Sequence, residues 1–332
     1  MPHNIFVFFS YYLKAGYEHN VTTVLFLRFQ NIGHFRLLVF SLLLVVYCMT
    51  ACGNLLIIVS VYFSNALHSP MYFFLSHLSV ADIILTTDIS PNMLNLILHE
   101  WSSISYPSCL TQLYFFGVSE TSECFLLTVM SYDRYLAICS PLHYTSMMNQ
   151  ELCIKLTLAT WLLSCAITSS TIFCVNQLQF CGSNIIDHFF CDLNPLVELS
   201  CSDTSTIQIE NTLLCIPVVV LPFLIIVVSY TYIVSTILNI SSFSGRLKSF
   251  STCSSHLTVV SIFYGTLISM YVVPNKGQSK TMSKVMSMLY TVLTPFLNPL
   301  IYSLRNTDIK TAIRNVVQNL RSSDNFVLGK KK

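Results

Sequence analysis

From Leu37 to Phe63 the chain runs 27 residues without a charged side chain. As an α-helix that stretch is about 40 Å long, more than the ~30 Å hydrocarbon core of a bilayer. Six further runs of comparable length follow, and the candidate spans lie near 37–63, 70–98, 108–139, 152–174, 209–237, 250–273 and 284–304. Only 10% of the 332 residues are charged and 53% are hydrophobic, whereas a soluble domain carries about 25% charge. The expected fold is therefore an all-α membrane protein, a bundle of seven transmembrane helices. The second and third spans carry acids, and the sixth is polar at its start.

An odd number of spans puts the termini on opposite sides, and the Lys/Arg balance orients them. With the N-terminus outside, the cytoplasmic side holds 11 basic residues and the outer side 6. The loop between spans four and five has none. This favours N-out, C-in, with residues 1–36 extracellular, 37–304 the membrane domain and 305–332 a cytoplasmic tail. The first residues, M-P-H-N-I-F-V-F-F-S-Y-Y-L, lack a positive n-region and an A-x-A site, so they are expected to be an uncleaved extension. The sequon at Asn20 (N-V-T) would then be outside and open to glycosylation. Net charge is +2, which gives no nucleic-acid signal.

Four of the 13 cysteines fall on the expected outer face: Cys109, Cys181, Cys191 and Cys201. They allow three disulfide connectivities. The ten-residue steps among the last three do not suit zinc, and His188 reads as a loop histidine rather than a ligand.

An ionisable group inside a span needs a partner or a task. Asp82, Glu123, Asn54 and Asn298 lie within spans two, three, one and seven. If the helices bundle, these oxygen-rich groups can meet near the midplane. Asp82 and Glu123 could then hold a sodium ion or a proton, or the set could be an ion-free hydrogen-bond network. Glu120 shares a helix face with Glu123 by its i,i+3 spacing; a structural role beside Glu123 is the favoured reading. Asp88 lies toward the outside. Asp133–Arg134 closes span three, where it serves as an interfacial anchor or as a latch that opens when helices move.

Several motifs occur in order: G-N at Gly53–Asn54, L-H-S-P-M-Y-F-F-L-S-H-L-S-V-A-D at 67–82, and M-S-Y-D-R-Y-L-A-I-C-S-P-L-H-Y at 130–144. They are followed by S-Y at 229–230, K-S-F-S-T-C-S-S-H-L-T-V-V at 248–260 and P-F-L-N-P-L-I-Y-S-L-R-N at 295–306. With these the chain resembles the vertebrate odorant receptors of the rhodopsin-like G-protein-coupled class, from about Asn20 to Val317. The long loop with H-F-F-C-D at 188–192 fits the tetrapod branch for airborne odorants. Ser131 and Ser249 are small departures from the family's usual residues.

The resemblance implies that Cys109 pairs with Cys191 and Cys181 with Cys201. It assigns Asp133, Arg134, Tyr135, Tyr230 and Tyr302 to the G-protein switch, with Pro299 a kink point. It makes residues 306–318 a short helix along the inner surface. Phe115, Phe116, Gly117, Glu120, Thr121, Tyr264 and Tyr271 would line a pocket for a small volatile ligand; the plain alternative for any one aromatic is lipid-facing packing. Ionised, Glu120 would favour a cationic ligand; protonated, it is only a donor. The partners implied are an odorant, a heterotrimeric G protein of the stimulatory olfactory type with cyclic AMP as output, and the lipid bilayer. No cofactor follows beyond the sodium ion, and the place implied is the plasma membrane of olfactory cilia. A transporter would show half-repeats and a channel a pore-lining ring, neither of which is evident. A peptide or amine hormone receptor would not carry P-M-Y-F-F-L, and no nucleophile–base pair supports an enzyme. An odorant-type receptor sensing a metabolite outside the nose stays open.

Overall fold

The computed structural model describes residues 22–27, 35–99, 101–181, 183–271, 280–305, 308–315 and 318. Side chains at 248, 249, 251, 252, 269–271, 280, 281, 283, 304 and 305 are outside that description, as is Asn20. Strand β1 (Thr23–Leu27) leads to helix α1 (Arg36–Phe63), α2 (Pro70–Leu98), β2 (Trp101–Ser105), α3 (Tyr106–Cys139) and the short α4 (Pro141–Met147). Then come α5 (Gln150–Val175), β3 (Ile185–Ile186), α6 (Leu193–Glu198), α7 (Ser205–Cys215), α8 (Leu221–Leu238), α9 (Phe243–Tyr271), α10 (Lys280–Met288) and α11 (Thr294–Arg305). Residues 308–315 are again helical.

Among the described residues five helices are long and apolar enough to cross a membrane: Arg36–Phe63, Pro70–Leu98, Gln150–Val175, Ser205–Leu238 and Lys284–Ser303. α3 is longer than most of these but carries Glu120, Glu123, Asp133 and Arg134. α9 has only a shorter apolar stretch, Cys253–Ile268. Both pack among the five, α3 against α2, α5 and α8 and α9 against α11.

The helices are apolar outside, and their polar side chains lie mainly within, among the apolar core. On α1, Leu38, Leu42 and Met49 are exposed while Thr50, Asn54 and Ser60 are buried. On α5 the buried stripe is Thr157, Thr160, Ser164 and Thr168, spaced three or four residues apart on one face, and Leu158 and Leu162 are exposed. Hydrocarbon gives no advantage to burying leucine, so small and hydroxyl side chains take the close contacts. Gly53 is one such contact: a Cβ there would sit 3.2 Å from Pro299 on α11.

Two π turns interrupt the long helices, Ile216–Val220 between α7 and α8 and Leu289–Leu293 between α10 and α11. Each ends two residues before a proline, Pro222 and Pro295. Proline has no N–H to bond the carbonyl one turn back, so the ladder widens locally.

The all-α expectation needs one correction. A three-stranded sheet of order β2-β1-β3 covers one end of the bundle, β1 running antiparallel to β2 and parallel to β3. Val24 and Phe26 face inward. β1 is a five-residue apolar run without alternation, Val24, Leu25 and Phe26 all being buried, and its partners lie far away in sequence, so no local signal distinguished the strands from apolar coil.

Replacing Gly53 by Val should wedge α1 from α11. Overpacking of this kind costs about 1–3 kcal/mol, and a lowered melting temperature of the purified protein, with Leu42→Ala nearly unchanged, would register it.

Candidate functional site

The end of the bundle that carries the sheet, expected to be the outer one, is tied down in several places. Disulfides join Cys109 to Cys191 and Cys181 to Cys201, with Cα atoms 5.5 and 6.0 Å apart. Gln112 on α3 accepts the Cys191 N–H at 2.9 Å and donates to the Asp88 carbonyl at 2.8 Å, so the loop is held to α2 as well. The Lys284 ammonium donates to Asp187 at 2.5 Å and to the Leu27 carbonyl at 3.2 Å, joining α10 to the loop and to β1. In the sequence Lys284 counted only as an outer-side charge; its partners are 97 and 257 residues away, and no local pattern marks it.

His188 is buried beside this bridge, with Nε2 3.1 Å from the Ser287 hydroxyl and its ring stacked on Phe189. It is a loop histidine, and no group of three His, Cys, Asp or Glu side chains that could hold a metal occurs among the described residues. Burial, and secondarily the Lys284 charge, pushes its pKa down to about 3.

Beneath the outer loop lies a cavity of about 570 Å³, within the range of small-ligand pockets. Phe116, Gly117, Glu120 and Thr121 of α3 and Tyr264 of α9 line it, as the resemblance implied. Phe115 does not. It is 44% exposed and packs edge-on against Tyr114, because the 100° step along a helix turns it away from the face that Phe116 presents. The side chain of Tyr271 is outside the described residues. Gly117 sits where α3 meets α5: an added Cβ would come within 2.8 Å of the Thr168 methyl.

Three polar groups stand out in this apolar chamber. The Oε1 atom of Glu120 is buried without a hydrogen-bond partner. Tyr264 Oη is also buried, facing the Cys124 thiol and the Thr128 hydroxyl, and its ring packs on Phe223 and Phe263. Asp192, which the sequence reading did not select, also lines the cavity. It caps α6, accepting the Leu193 N–H at 2.7 Å, and burial raises its pKa to about 6. Its position one residue after Cys191 was the available signal. Glu120 thus borders the cavity as well as approaching Glu123.

Deeper in the bundle Asn298 donates to both Asp82 oxygens at 3.1 Å. The Glu123 carboxyl faces Asp82, and its Oε1 has no partner. Asn54 departs from the expected set. Its amide donates to the Thr50 and Pro295 carbonyls at 3.1 and 3.2 Å, supporting backbone rather than a carboxylate.

At the inner end Arg134 donates to Asp133, its Nε at 2.9 Å and its terminal nitrogen to the same oxygen. The other Asp133 oxygen accepts from Tyr144 Oη at 2.8 Å. Adjacent helical residues diverge, yet the guanidinium folds back along the helix to reach its neighbour. Tyr144, on α4, completes the arrangement; it ended a quoted motif but had no assigned role. Tyr230 Oη lies 2.6 Å from His256 Nδ1, Tyr302 is fully buried, and Tyr135 stacks on Tyr132. Tyr72 donates to Asp308 at 3.2 Å, joining α2 to the helical residues 308–315, where Ile309 and Ala312 are buried.

A description of the olfactory receptor family matches residues 43–320. The chain is a member of the olfactory receptor family. It is 46% identical over 298 residues to Olfactory receptor 11L1 of Homo sapiens, covering 90% of this chain and 92% of that one. To Olfactory receptor 1M1 of Mus musculus it is 45% identical over 278 residues, 84% of this chain and 89% of the relative. To Olfactory receptor 5P68 of the same species it is 45% identical over 304 residues, 91% and 96%. The family consists of receptors, not enzymes, and its apolar helices make this member a multi-pass membrane protein.

Burial of His188 is expected to make the stability of this receptor pH-dependent. A His whose folded pKa lies below its unfolded 6.5 is protonated first in the unfolded state, so stability falls as pH drops from about 6.5 toward 3. Melting scans across that range should show the fall, and His188→Gln should flatten it.

Proposed function

We propose that the chain is an odorant receptor: a small volatile molecule enters the cavity between α3, α5, α8 and α9 and favours a state that a heterotrimeric G protein recognises. The observation that carries this reading is the placement of two features on one helix. Glu120 at the cavity and Arg134 in the latch are 14 residues apart on α3, about 20 Å along its axis. A ligand that binds one arrangement of the helices better than another shifts their populations. Tyr264, buried at the cavity wall against Phe223 and Phe263, is the side chain by which a ligand would move α9. At the inner end, Arg134 leaves Asp133 and Tyr144, and an intracellular cleft opens for the G protein.

The topology in this reading is seven spans, α3 and α9 joining the five apolar ones, with the N-terminus outside and residues 308–315 along the inner surface. The cysteine-rich loop then faces an oxidising exterior, as disulfides require. The G protein is the stimulatory olfactory type, raising cyclic AMP, and the membrane is that of sensory cilia. Asn20 is a glycosylation site. Asp82 and Glu123 can share a sodium ion or a proton, because carboxyl oxygens suit a hard cation and Glu123 Oε1 has no protein partner.

Cells displaying the receptor at their surface should raise cyclic AMP to some members of a volatile panel. Gly117→Val, which fills the cavity and presses on Thr168, should cut that response at least tenfold at equal surface display. A response to no volatile that is nonetheless driven by a non-volatile metabolite would favour the tissue-sensor alternative. Tyr144→Phe removes one hydrogen bond from Asp133, a charge-assisted contact worth about 1.5–3 kcal/mol. Ligand-free cyclic AMP should rise several-fold in that variant.

A further inference from the structure

We infer that the cavity selects an organic cation, a primary ammonium on an apolar body, held between Glu120 and Asp192. The inference rests on reading this cavity as the ligand site, and it names the chemical class that the site takes.

Two carboxyls from different parts of the chain reach the chamber, Glu120 from the middle of α3 and Asp192 from the loop. The charge of Asp192 acts on Glu120. No Lys, Arg or His lines the cavity among the described residues, so nothing of opposite sign sits between them. Glu120 Oε1 accepts no hydrogen bond although it is buried. Asp192 is only 5% exposed and is fixed twice, by its cap bond to the Leu193 N–H and by the adjacent disulfide between Cys191 and Cys109. With its pKa raised to about 6, Asp192 is still mostly ionised at pH 7.4. An alkylamine of pKa near 10 keeps its proton there.

Asn194, Asn211 and several threonines add neutral polar groups, and between them Phe116, Val219, Phe223 and Leu267 offer surface to a hydrocarbon chain. An ammonium has three donors and no acceptor. It would satisfy the vacant Glu120 oxygen, pair with the Asp192 carboxylate and leave its chain against the aromatic wall. A neutral alcohol of the same length has one donor and relieves no charge. An anion meets two carboxyls, so carboxylic acids are excluded.

Purified full-length receptor in lipid nanodiscs should be stabilised against heating by straight-chain primary amines of four to eight carbons. The alcohols of matched length should give no comparable shift. Glu120→Gln and Asp192→Asn, each a near-isosteric change, should each weaken the amine effect at least tenfold in half-saturating concentration. The two variants guard against either one failing to fold. Alcohols that stabilise as well as the amines, or amine binding that survives both variants, would overturn the cation assignment and leave the receptor reading intact. Absence of stabilisation by every amine in the series would overturn it too. Amine binding with the expected losses, but with no second messenger in surface-positive cells, would uphold the cation site and count against the signalling reading instead.

Discussion

Every polar group that enters the hydrocarbon must find its partner inside the protein, because lipid offers none. That constraint turns the helices so that Thr50, Asn54 and Ser60 of α1 face the bundle while leucines face out. It places Asn298 across from Asp82 with both carboxylate oxygens engaged. Asn54 bridges two backbone carbonyls, one of them Pro295 O, the residue that cannot extend the ladder of its own helix. The wide turns before Pro222 and Pro295 follow from the same accounting: where a proline removes a donor, the backbone bends or another side chain supplies the bond.

Helix α3 carries the consequences for function. Its outer third is fixed by a disulfide and by Gln112, its middle forms one wall of the cavity, and its inner end holds the Asp133–Arg134 pair. Such a helix has little freedom to slide at its outer end. α9 lacks that tether; it contributes Tyr264 to the cavity and His256 to the contact with Tyr230.

Much of this was legible from residue order. Five of the expected spans are long and apolar enough in the structure, and of the four polar groups expected to meet, Asp82, Glu123 and Asn298 do so while Asn54 turns to backbone. Span boundaries moved by a few residues: α9 begins at Phe243 rather than near 250, because its polar first turns carry no apolar signal. Phe115 was misplaced relative to the cavity since adjacent aromatics look alike in sequence and only the helix phase separates them. Asp192 was missed although its place beside Cys191 marked it; β1 and Lys284 were missed for another reason. Each gets its role from partners far along the chain, and periodicity reports only on neighbours.

Lys284 also bears on the order in which the chain is completed. The ribosome releases a chain from its N-terminus, so β1 is made before any of its partners. Its antiparallel neighbour comes some 75 residues later, its parallel one about 160 later, and the ammonium that donates to the Leu27 carbonyl 257 residues later. The earliest segment of the described structure thus completes its bonding only when nearly the last helix is in place. The outer cover is a closing step of assembly, and a chain stalled before α10 would present β1 with part of its edge still unsatisfied.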